Sequence, residues 1–292
     1  MTPAAAATIG FAPGRPKGAA CLAAALALAG CATLGNPPAA DPDAGLLPTS
    51  QSNLTSLGEV IGKHPDDPQA YNMRGAVYGE AGRNEQALAD FNKAISLDPN
   101  YVQAYANRAL IYRKTANLDL ALADDNKALT IDANYAPAYL GRGIVYRQQG
   151  HAKEALGDFN KAIALRPDNA EAYYNRGLLY QGQQQHQFAI DDFSTAIGLQ
   201  SDTAEPYVAR ALSYLAVGDN RSAARDLDQA VQFDPRSLRA WTSRGLAYER
   251  LGETAKAAGS YAKALNLNDK YEPAKAGFLR VGGKIGQTYP TF

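Results

Sequence analysis

The side chains that most often carry catalysis are few in this chain of 292 residues, and they stand apart from one another. The three histidines are His64, His151 and His186, and none lies four residues from another His or Cys, a spacing that lets a helix hold a metal ion. Neighbouring acids such as Asp124 and Asp125 diverge by about 100° on a helix, which does not suit paired acid–base chemistry. The sequence contains no nucleophile elbow, phosphate loop or dinucleotide fingerprint. We therefore predict a protein that is not an enzyme, with no metal site and no cofactor.

Charged residues do recur, in a pattern that indicates a structural role. From residue 68 onward the sequence repeats every 34 residues, in six copies without insertion or deletion. The copies begin at residues 68, 102, 136, 170, 204 and 238, and we number the places within each copy from 1 to 34. Arg occupies place 7 in all six copies: Arg74, Arg108, Arg142, Arg176, Arg210 and Arg244. Asp occupies place 23 in the first five copies, and Ser260 stands there in the sixth: Asp90, Asp124, Asp158, Asp192 and Asp226.

These two columns predict a ladder of ion pairs that fixes the register of the repeats. We predict that each Asp pairs with the Arg of the following copy, from Asp90–Arg108 to Asp226–Arg244. In that arrangement the sixth copy can have Ser260 in place of Asp, because the unit that follows it has no Arg at place 7 for an acid to bind. The alternative is pairing within each copy, which leaves Arg244 without an acid.

Aromatic and small side chains form further columns, and they indicate two helices in each copy. Place 11 is Tyr throughout and place 8 is Gly or Ala, which lets neighbouring helices approach closely. Place 4 is aromatic throughout: Tyr71, Tyr105, Tyr139, Tyr173, Tyr207 and Trp241. This pattern resembles the tetratricopeptide repeat, whose period is 34 residues. The resemblance implies an all-α fold, a right-handed superhelical solenoid of antiparallel helix pairs with a capping helix at each end, and we expect the aromatic columns to lie in its core.

The domain organisation follows from the repeat register. An end unit of a solenoid must have its open face covered, so we expect a helix before the first full repeat and another after the last. We predict a signal peptide at 1–30, a flexible tether at 31–50, an incomplete leading repeat helix at 51–67, six repeats at 68–101, 102–135, 136–169, 170–203, 204–237 and 238–271, and a C-terminal capping helix and tail at 272–292.

The N-terminal segment is typical of an exported lipoprotein. Arg15 and Lys17 precede an apolar run of about 12 residues, which is too short to span a bilayer because spanning takes about 20. The run ends in Leu-Ala-Gly-Cys at Cys31, which resembles the lipobox of bacterial lipoproteins and implies that Cys31 becomes the lipidated first residue of the mature chain. By the same resemblance, Ala32 favours the outer membrane. We predict a lipid-anchored protein of the cell envelope facing the periplasm, and the alternative is an ordinary signal peptide with an incidental Cys.

One copy departs from the pattern at place 24. The other copies have an aromatic or aliphatic residue there: Phe91, Phe159, Phe193, Leu227 and Tyr261. The second copy has Asp125, and an unpaired carboxylate in such a core position would cost several kcal/mol. Either the helix turns Asp125 toward solvent or a basic residue reaches it. We predict a local weak point of the solenoid, with a functional hinge or a binding notch as the alternative.

The partner predictions rest on net charge and on the resemblance. The formal net charge is zero, which argues against nucleic acid because phosphate binding needs a basic surface. In tetratricopeptide proteins the first helices line a groove that binds peptides, which implies a protein or peptide ligand here. The groove candidates are Asn107, Arg113, Lys114, Arg147, Tyr174 and Asn175. We predict that the three cations attract an acidic or amide-rich segment. Place 2 never carries the Lys of a carboxylate clamp, so binding of an acidic C-terminal tail is not predicted, and solvated helix faces are the alternative reading.

As a whole, the chain resembles bacterial tetratricopeptide lipoproteins of the NlpI type, which act as adaptors for envelope proteases and cell-wall hydrolases. The resemblance implies a non-enzymatic scaffold attached to a membrane through its lipid. One alternative is an accessory lipoprotein of a secretion or pilus assembly system. Another is a carrier of a small envelope ligand. Self-association as a homo-oligomer is left open by the sequence.

Overall fold

A computed structural model describes residues 51–284 and Tyr289, and this part of the chain is all-helical. The predicted signal peptide, the lipidation residue Cys31 and the predicted tether lie outside the described residues. Within them the chain forms fourteen α-helices and no strand, and successive helices pack as antiparallel neighbours. None of these fourteen helices is both long enough and apolar enough to cross a bilayer.

Each repeat consists of a first and a second helix. The helix that precedes the repeats is α1 (Gln51–Lys63), and the one that follows them is α14 (Glu272–Arg280). The first helices are α2 (Pro68–Glu80), α4 (Val102–Lys114), α6 (Ala136–Gln148), α8 (Ala170–Gly182), α10 (Ala204–Val217) and α12 (Leu238–Arg250). The second helices are α3 (Asn84–Leu97), α5 (Leu118–Ile131), α7 (Ala152–Leu165), α9 (His186–Leu199), α11 (Asn220–Phe233) and α13 (Thr254–Leu267).

The helices of the repeats form two layers with different contacts. Each first helix touches the first helix of the next repeat, from α2 against α4 to α10 against α12. In the described part of the chain each second helix touches first helices, and no second helix touches another second helix. The last of them, α13, also touches α14. Close spacing in one layer and wide spacing in the other make the stack curve toward the first helices. We call the surface that the first helices present the inner face.

In four of the six repeats, the core holds a ring at place 24 that packs against a Gly at place 8. A Cβ added to Gly143 would lie 2.8 Å from the Phe159 ring, and one added to Gly75 would lie 2.7 Å from Phe91. The same fit pairs Gly177 with Phe193 and Gly245 with Tyr261. The two repeats with Ala at place 8 carry a smaller side chain at place 24, Asp125 or Leu227. Place 8 is therefore matched in size to place 24 of its own repeat.

The turn between the two helices of a repeat has the same backbone form in all six copies. Place 15 has positive φ, which is why four copies have Gly there; the other two have Ala116 and Gln184, each with φ of 59°. The N–H of the next residue donates to the carbonyl of the place-11 Tyr, as from Gln185 to Tyr180 at 2.9 Å. This bond ends the first helix and starts the reversal into the second.

The ion pairs join the two helices of one repeat. In five repeats the place-7 Arg binds both carboxylate oxygens of its own place-23 Asp, with N–O distances of 2.6 to 2.8 Å. The prediction that each Asp pairs with the Arg of the following copy is therefore wrong: Asp124 binds Arg108 and not Arg142. Places 7 and 23 are equally far from the turn at place 15, so in an antiparallel helix pair they face each other.

The link between repeats runs through place 25 instead. The place-7 guanidinium also donates to the place-25 side chain of the preceding repeat, in the pairs Arg108–Asn92, Arg142–Asn126, Arg176–Asn160 and Arg210–Ser194. In the sixth repeat Arg244 donates to Ser260 Oγ and forms an ion pair with Asp228 Oδ1 of the fifth, both at 2.7 Å. Arg244 therefore does have an acidic partner. This partner lies at place 25 of the preceding repeat and not at place 23 of the same repeat.

The aromatic columns at places 4 and 11 flank these arginines. Each guanidinium carbon lies 4.9 to 6.0 Å from the ring centroid of the place-4 residue and from that of the place-11 residue of its own helix. Only Tyr105, Trp241 and Tyr248 of these columns are fully buried in the described chain; the others are half-buried. The two columns thus enclose the guanidinium groups in a cation–π arrangement, and the side chain at place 24 fills the core.

Helices α1 and α14 cover the two ends of the stack. Leu54 and Ile61 of α1 are buried and face α2. At the other end, Ala274 and Phe278 of α14 are buried against α12 and α13. Gly277 lies directly against the Tyr261 ring, where a Cβ would not fit.

Candidate functional site on the inner face

Place 12 is one of the positions of the inner face that vary between repeats. Its residues are Gly79, Arg113, Arg147, Gln181, Leu215 and Glu249. The polar ones extend toward the next helix along the stack. Gln181 of α8, for example, donates its Nε2 hydrogens to the carbonyl of Ala209 and to Ser213 Oγ of α10, both at 2.8 Å. At the C-terminal end, Glu249 accepts from Arg280 of α14 and from the hydroxyl of Tyr261.

The adjacent place 13 carries a cation in two repeats, and both cations cap a preceding helix. Lys114 Nζ donates to the carbonyl of Gly79 at 3.2 Å, and Arg250 Nη1 donates to that of Leu215 at 2.7 Å. These carbonyls lie in the last turn of α2 and of α10, where the helix dipole favours positive charge. Lys114, predicted as a groove cation, is exposed on the inner face and has this structural contact as well.

Asp125 is the most unusual charged residue of the core. It is 0% exposed, so the helix does not turn it toward solvent. Arg113 of α4 reaches it instead, with Nη1 donating to Oδ2 at 3.2 Å, while Oδ1 has no hydrogen-bond partner. Burial raises the pKa of Asp125 to about 7, although the positive charge of Arg113 acts in the opposite direction. Arg113, the second predicted groove cation, thus has its counterion inside the protein.

Gly141 of α6 makes room for this pair. A Cβ at Gly141 would lie 2.7 Å from Asp125 Oδ2 and 2.8 Å from Oδ1, and it would also collide with Arg113 Nη1. Asn stands at the same place 6 in the repeats on either side, at Asn107 and Asn175. At the junction between the second and third repeats, the missing side chain of Gly141 therefore leaves the space that Asp125 and Arg113 occupy.

Arg147 occupies the same place one repeat later but has no such counterion. The residue that corresponds to Asp125 in its repeat is Phe159. Arg147 Nη2 donates to Oδ1 of Asn175 at 3.3 Å, and Nε is buried without a partner. Among the ion pairs of the described residues none includes Arg147, and partial burial lowers its pKa. Asn175 is itself buried, and its Nδ2 donates to the carbonyl of Glu171 at 2.9 Å, which fixes its orientation.

Tyr174 lies beside Arg147 and borders two cavities. The larger, of about 230 Å³, lies between α8, α9 and α10 and is lined mainly by apolar groups, with Ala170, Ala196 and Pro206 among them. The smaller, of about 90 Å³, lies on the side of α12 and includes Val208 and Arg239. Burial raises the pKa of the Tyr174 hydroxyl, and its ring packs on Phe193 with centroids 5.8 Å apart.

Asn107, the remaining predicted groove residue, lies at the other end of the inner face. Its Nδ2 donates to Oδ1 of Asn72 at 3.0 Å. It also borders a cavity of about 110 Å³ together with Leu110 and Lys114. Leu110 and the nearby Met73 are large apolar side chains that are exposed on this face. The six predicted groove residues thus fall into two groups, one between the first and second repeats and one between the second and fourth.

The described residues contain no group of three His, Cys, Asp or Glu side chains placed to hold a metal ion. What the inner face offers is a row of amides, cations and small apolar cavities. Such an arrangement recognises chain segments by hydrogen bonds and by the burial of side chains.

Family models for tetratricopeptide repeats match the chain at 68–101, 91–123, 143–184, 170–202 and 208–273, which together exceed half of its length. The chain belongs to the tetratricopeptide repeat family. A comparison with curated protein sequences gives no match. Solved structures do match this tetratricopeptide repeat protein over most of its length.

Three of these structures illustrate the likeness. The Cut9–Hcn1 hetero-tetramer of the APC/C matches with a TM-score of 0.71 and 18% identity over 80% of this chain, which spans only 46% of the Cut9–Hcn1 chain. PilF of Pseudomonas aeruginosa matches with a TM-score of 0.67 and 20% identity, over 75% of this chain and 99% of its own. These two likenesses show the fold alone. YrrB, described as a TPR protein with an unusual peptide-binding site, has a TM-score of 0.54 and 26% identity, over 64% of this chain and 96% of its own.

Glu205 and Arg239 border the cavities at Tyr174, and neither was among the six predicted groove residues. The sequence did contain an indication of the Asp125–Arg113 pair, because Gly141 is the only Gly at place 6 in the six repeats. A missing side chain beside an acid in a core position indicates that the acid occupies the space.

Proposed function

We propose that this protein is a non-enzymatic scaffold that binds a segment of a partner protein along the inner face of its repeats. The observation that carries the proposal is the layering of the helices: the first helices form one continuous surface, and this surface carries side chains that differ between repeats. The repeating residues account for packing, turns and ion pairs. Specific recognition is left to the inner face.

Two further features support a peptide ligand. Exposed apolar side chains at Met73 and Leu110 and the cavities at Leu110 and Tyr174 provide places where partner side chains would lose contact with water. The polar side chains between them supply hydrogen-bond donors and acceptors for an extended backbone. The likeness to YrrB, whose description names a peptide-binding site, agrees with this use of the fold.

Site-specific crosslinking tests the proposal. A photoreactive phenylalanine derivative placed at Leu110, on the inner face and 41% exposed, should crosslink a partner in cells. The matched control is Leu120 on the second helix α5, which is 51% exposed, and it should crosslink far less of the same partner. Equal recovery of that partner from both positions would contradict recognition by the inner face.

We also propose that the chain is attached to the bacterial envelope through a lipid on Cys31, in the outer membrane and facing the periplasm, as an adaptor of the NlpI type. The support is the sequence of the N-terminal segment, with its basic residues, short apolar run and lipobox-like ending. Labelled palmitate should be incorporated into the wild-type chain and not into Cys31→Ser. Labelling that persists in Cys31→Ser would refute the anchor without affecting the inner-face proposal.

A further inference from the structure

Arg113 and Arg147 provide an internal comparison of the same place in successive repeats. Both are place-12 arginines on the inner face, and each extends toward place 6 of the next first helix. Arg113 has Asp125 at 3.2 Å as its counterion. Arg147 has Phe159 in the corresponding position and Asn175 as its sole hydrogen-bond partner. Within the described residues, Arg113 therefore has a carboxylate as its partner, whereas Arg147 has only a neutral amide.

An arginine that is partly buried without a counterion is unfavourable. It loses hydration, and a neutral amide oxygen at 3.3 Å replaces only part of what is lost. A carboxylate brought by a ligand would restore the missing charge, and charge-assisted hydrogen bonds to a guanidinium are among the strong ones. Arg147 is only half-buried, so its side chain can be reached from the inner face.

The surroundings of Tyr174 specify the rest of the ligand. Its cavity of about 230 Å³ has a mainly apolar lining and is large enough for an aliphatic or aromatic side chain. Glu171 and Glu205 border the same cavity, and their negative charge disfavours a carboxylate inside it. The acidic group and the apolar group of a ligand would therefore occupy separate positions, the first at Arg147 and the second in the cavity at Tyr174.

We propose that Arg147 and Asn175 bind a carboxylate of the partner segment, while an apolar side chain close to that carboxylate fills the cavity at Tyr174. The assignment rests on the proposed function, since it names the chemistry of the segment that the inner face binds. The carboxylate belongs to an Asp or Glu side chain or to the C-terminus of the partner.

Selection of random twelve-residue peptides on the full chain tests this assignment, with one library as free acids and the other as C-terminal amides. We expect the selected peptides to carry a carboxylate within a few residues of Leu, Ile or Phe. Enrichment from the free-acid library alone would identify a C-terminal carboxylate, and enrichment from both would identify an acidic side chain.

Affinities of a selected peptide, measured by fluorescence anisotropy, then isolate Arg147. Arg147→Gln should weaken binding about 10- to 100-fold, amidation of the peptide carboxylate should do the same, and the two changes together should be little worse than either. Lys161→Gln removes one positive charge from the exposed side of the second helix α7 in the same repeat, and it should change the affinity less than about twofold. Thermal unfolding of each variant checks that the fold is retained.

Two results would overturn the assignment. If peptides are selected but bind Arg147→Gln as tightly as the wild type, the inner face binds peptides without this carboxylate site. If the wild type selects no peptide from either library, peptide binding itself fails, and the site fails with it.

Discussion

At the scale of single residues, Asp124 and Asp125 show how much the surroundings of a carboxylate decide. They are adjacent in the sequence and both are buried. Asp124 receives two hydrogen bonds from Arg108, at 2.6 and 2.7 Å, whereas Asp125 receives one of 3.2 Å from Arg113. The first holds the two helices of a repeat together. The second is a charge in a core position that the other repeats fill with an aromatic ring or, in the fifth repeat, with Leu227.

Stability should therefore depend on pH through Asp125. Burial raises the pKa of its carboxyl to about 7, above its value in the unfolded chain, so the folded state holds a proton that the unfolded state releases. Its contribution to stability is full in acid and is lost as pH rises toward 7. Between pH 5 and pH 8 we expect the wild type to lose about 2–3 kcal/mol of unfolding free energy relative to Asp125→Asn.

Urea unfolding at a series of pH values measures this difference. The control is Asp124→Asn, which should be less stable than the wild type at neutral pH because it removes the partner of Arg108. A wild type and an Asp125→Asn variant with parallel pH profiles would show that Asp125 titrates normally.

The sequence correctly predicted ion pairs between the Arg and Asp columns, but the predicted partners were wrong. Columns of Arg and Asp indicated a ladder, and the ladder exists. Its pairing could not be read from the columns alone, because it depends on which places face each other across the turn. The second partner of each arginine, at place 25, was hidden among residues that differ in type: Asn92, Asn126, Asn160, Ser194 and Asp228.

At the scale of helices, the match between places 8 and 24 makes a direct prediction. Gly143→Ala would push its new methyl group into the Phe159 ring, and we expect a loss of about 1–3 kcal/mol in unfolding free energy. Gly157 lies in the middle of α7 with no atom within 4 Å of an added Cβ. Gly157→Ala should instead stabilise by about 0.5–1 kcal/mol, because Ala is the better helix former. Equal effects of the two substitutions would show that helix propensity, and not ring packing, determines place 8.

The turns offer a second test at this scale. Gln184 has φ of 59° at place 15, where four other repeats have Gly, so Gln184→Gly should stabilise by about 0.5–1 kcal/mol. Its neighbour Gln183 has φ of −87°, and Gln183→Gly should destabilise by a similar amount through the entropy of the unfolded chain. Thermal unfolding distinguishes the two variants, and a destabilised Gln184→Gly would contradict the backbone argument.

The helices themselves were predictable from the sequence, because a period of 34 residues with two apolar stripes has few other solutions. The common backbone of the turns was less evident. Ala116 and Gln184 interrupt the glycine column at place 15, and only the shared backbone geometry reveals that all six turns are alike.

At the scale of the whole molecule, a stack held by neighbour contacts should lose stability locally when its end is damaged. Phe278 of α14 is 2% exposed and covers the last repeat, so Phe278→Ala should cost about 3–5 kcal/mol. Leu279 is 52% exposed, and Leu279→Ala should change stability by less than about 0.5 kcal/mol. Hydrogen exchange should place the loss in α12 to α14, whereas uniform loss along the chain would indicate one cooperative unit.

The inner face follows the same division between what repeats and what varies. The six predicted groove residues do lie on the first helices, but sequence alone could not tell which cations have internal partners. Arg113 has one in Asp125, Lys114 caps a helix, and Arg147 is left without a counterion. That distinction depends on side-chain packing between neighbouring repeats, which the residue types at any single place of the repeat do not show.

The most direct test of recognition by the inner face is amide hydrogen exchange of the full chain. It is measured for the chain alone and for the chain saturated with the partner that is captured by the photoreactive residue at position 110. We expect added protection on first helices, above all α6, α8 and α10, with the second helices α7, α9 and α11 nearly unchanged. Protection concentrated on those second helices would show that the partner does not bind along the inner face.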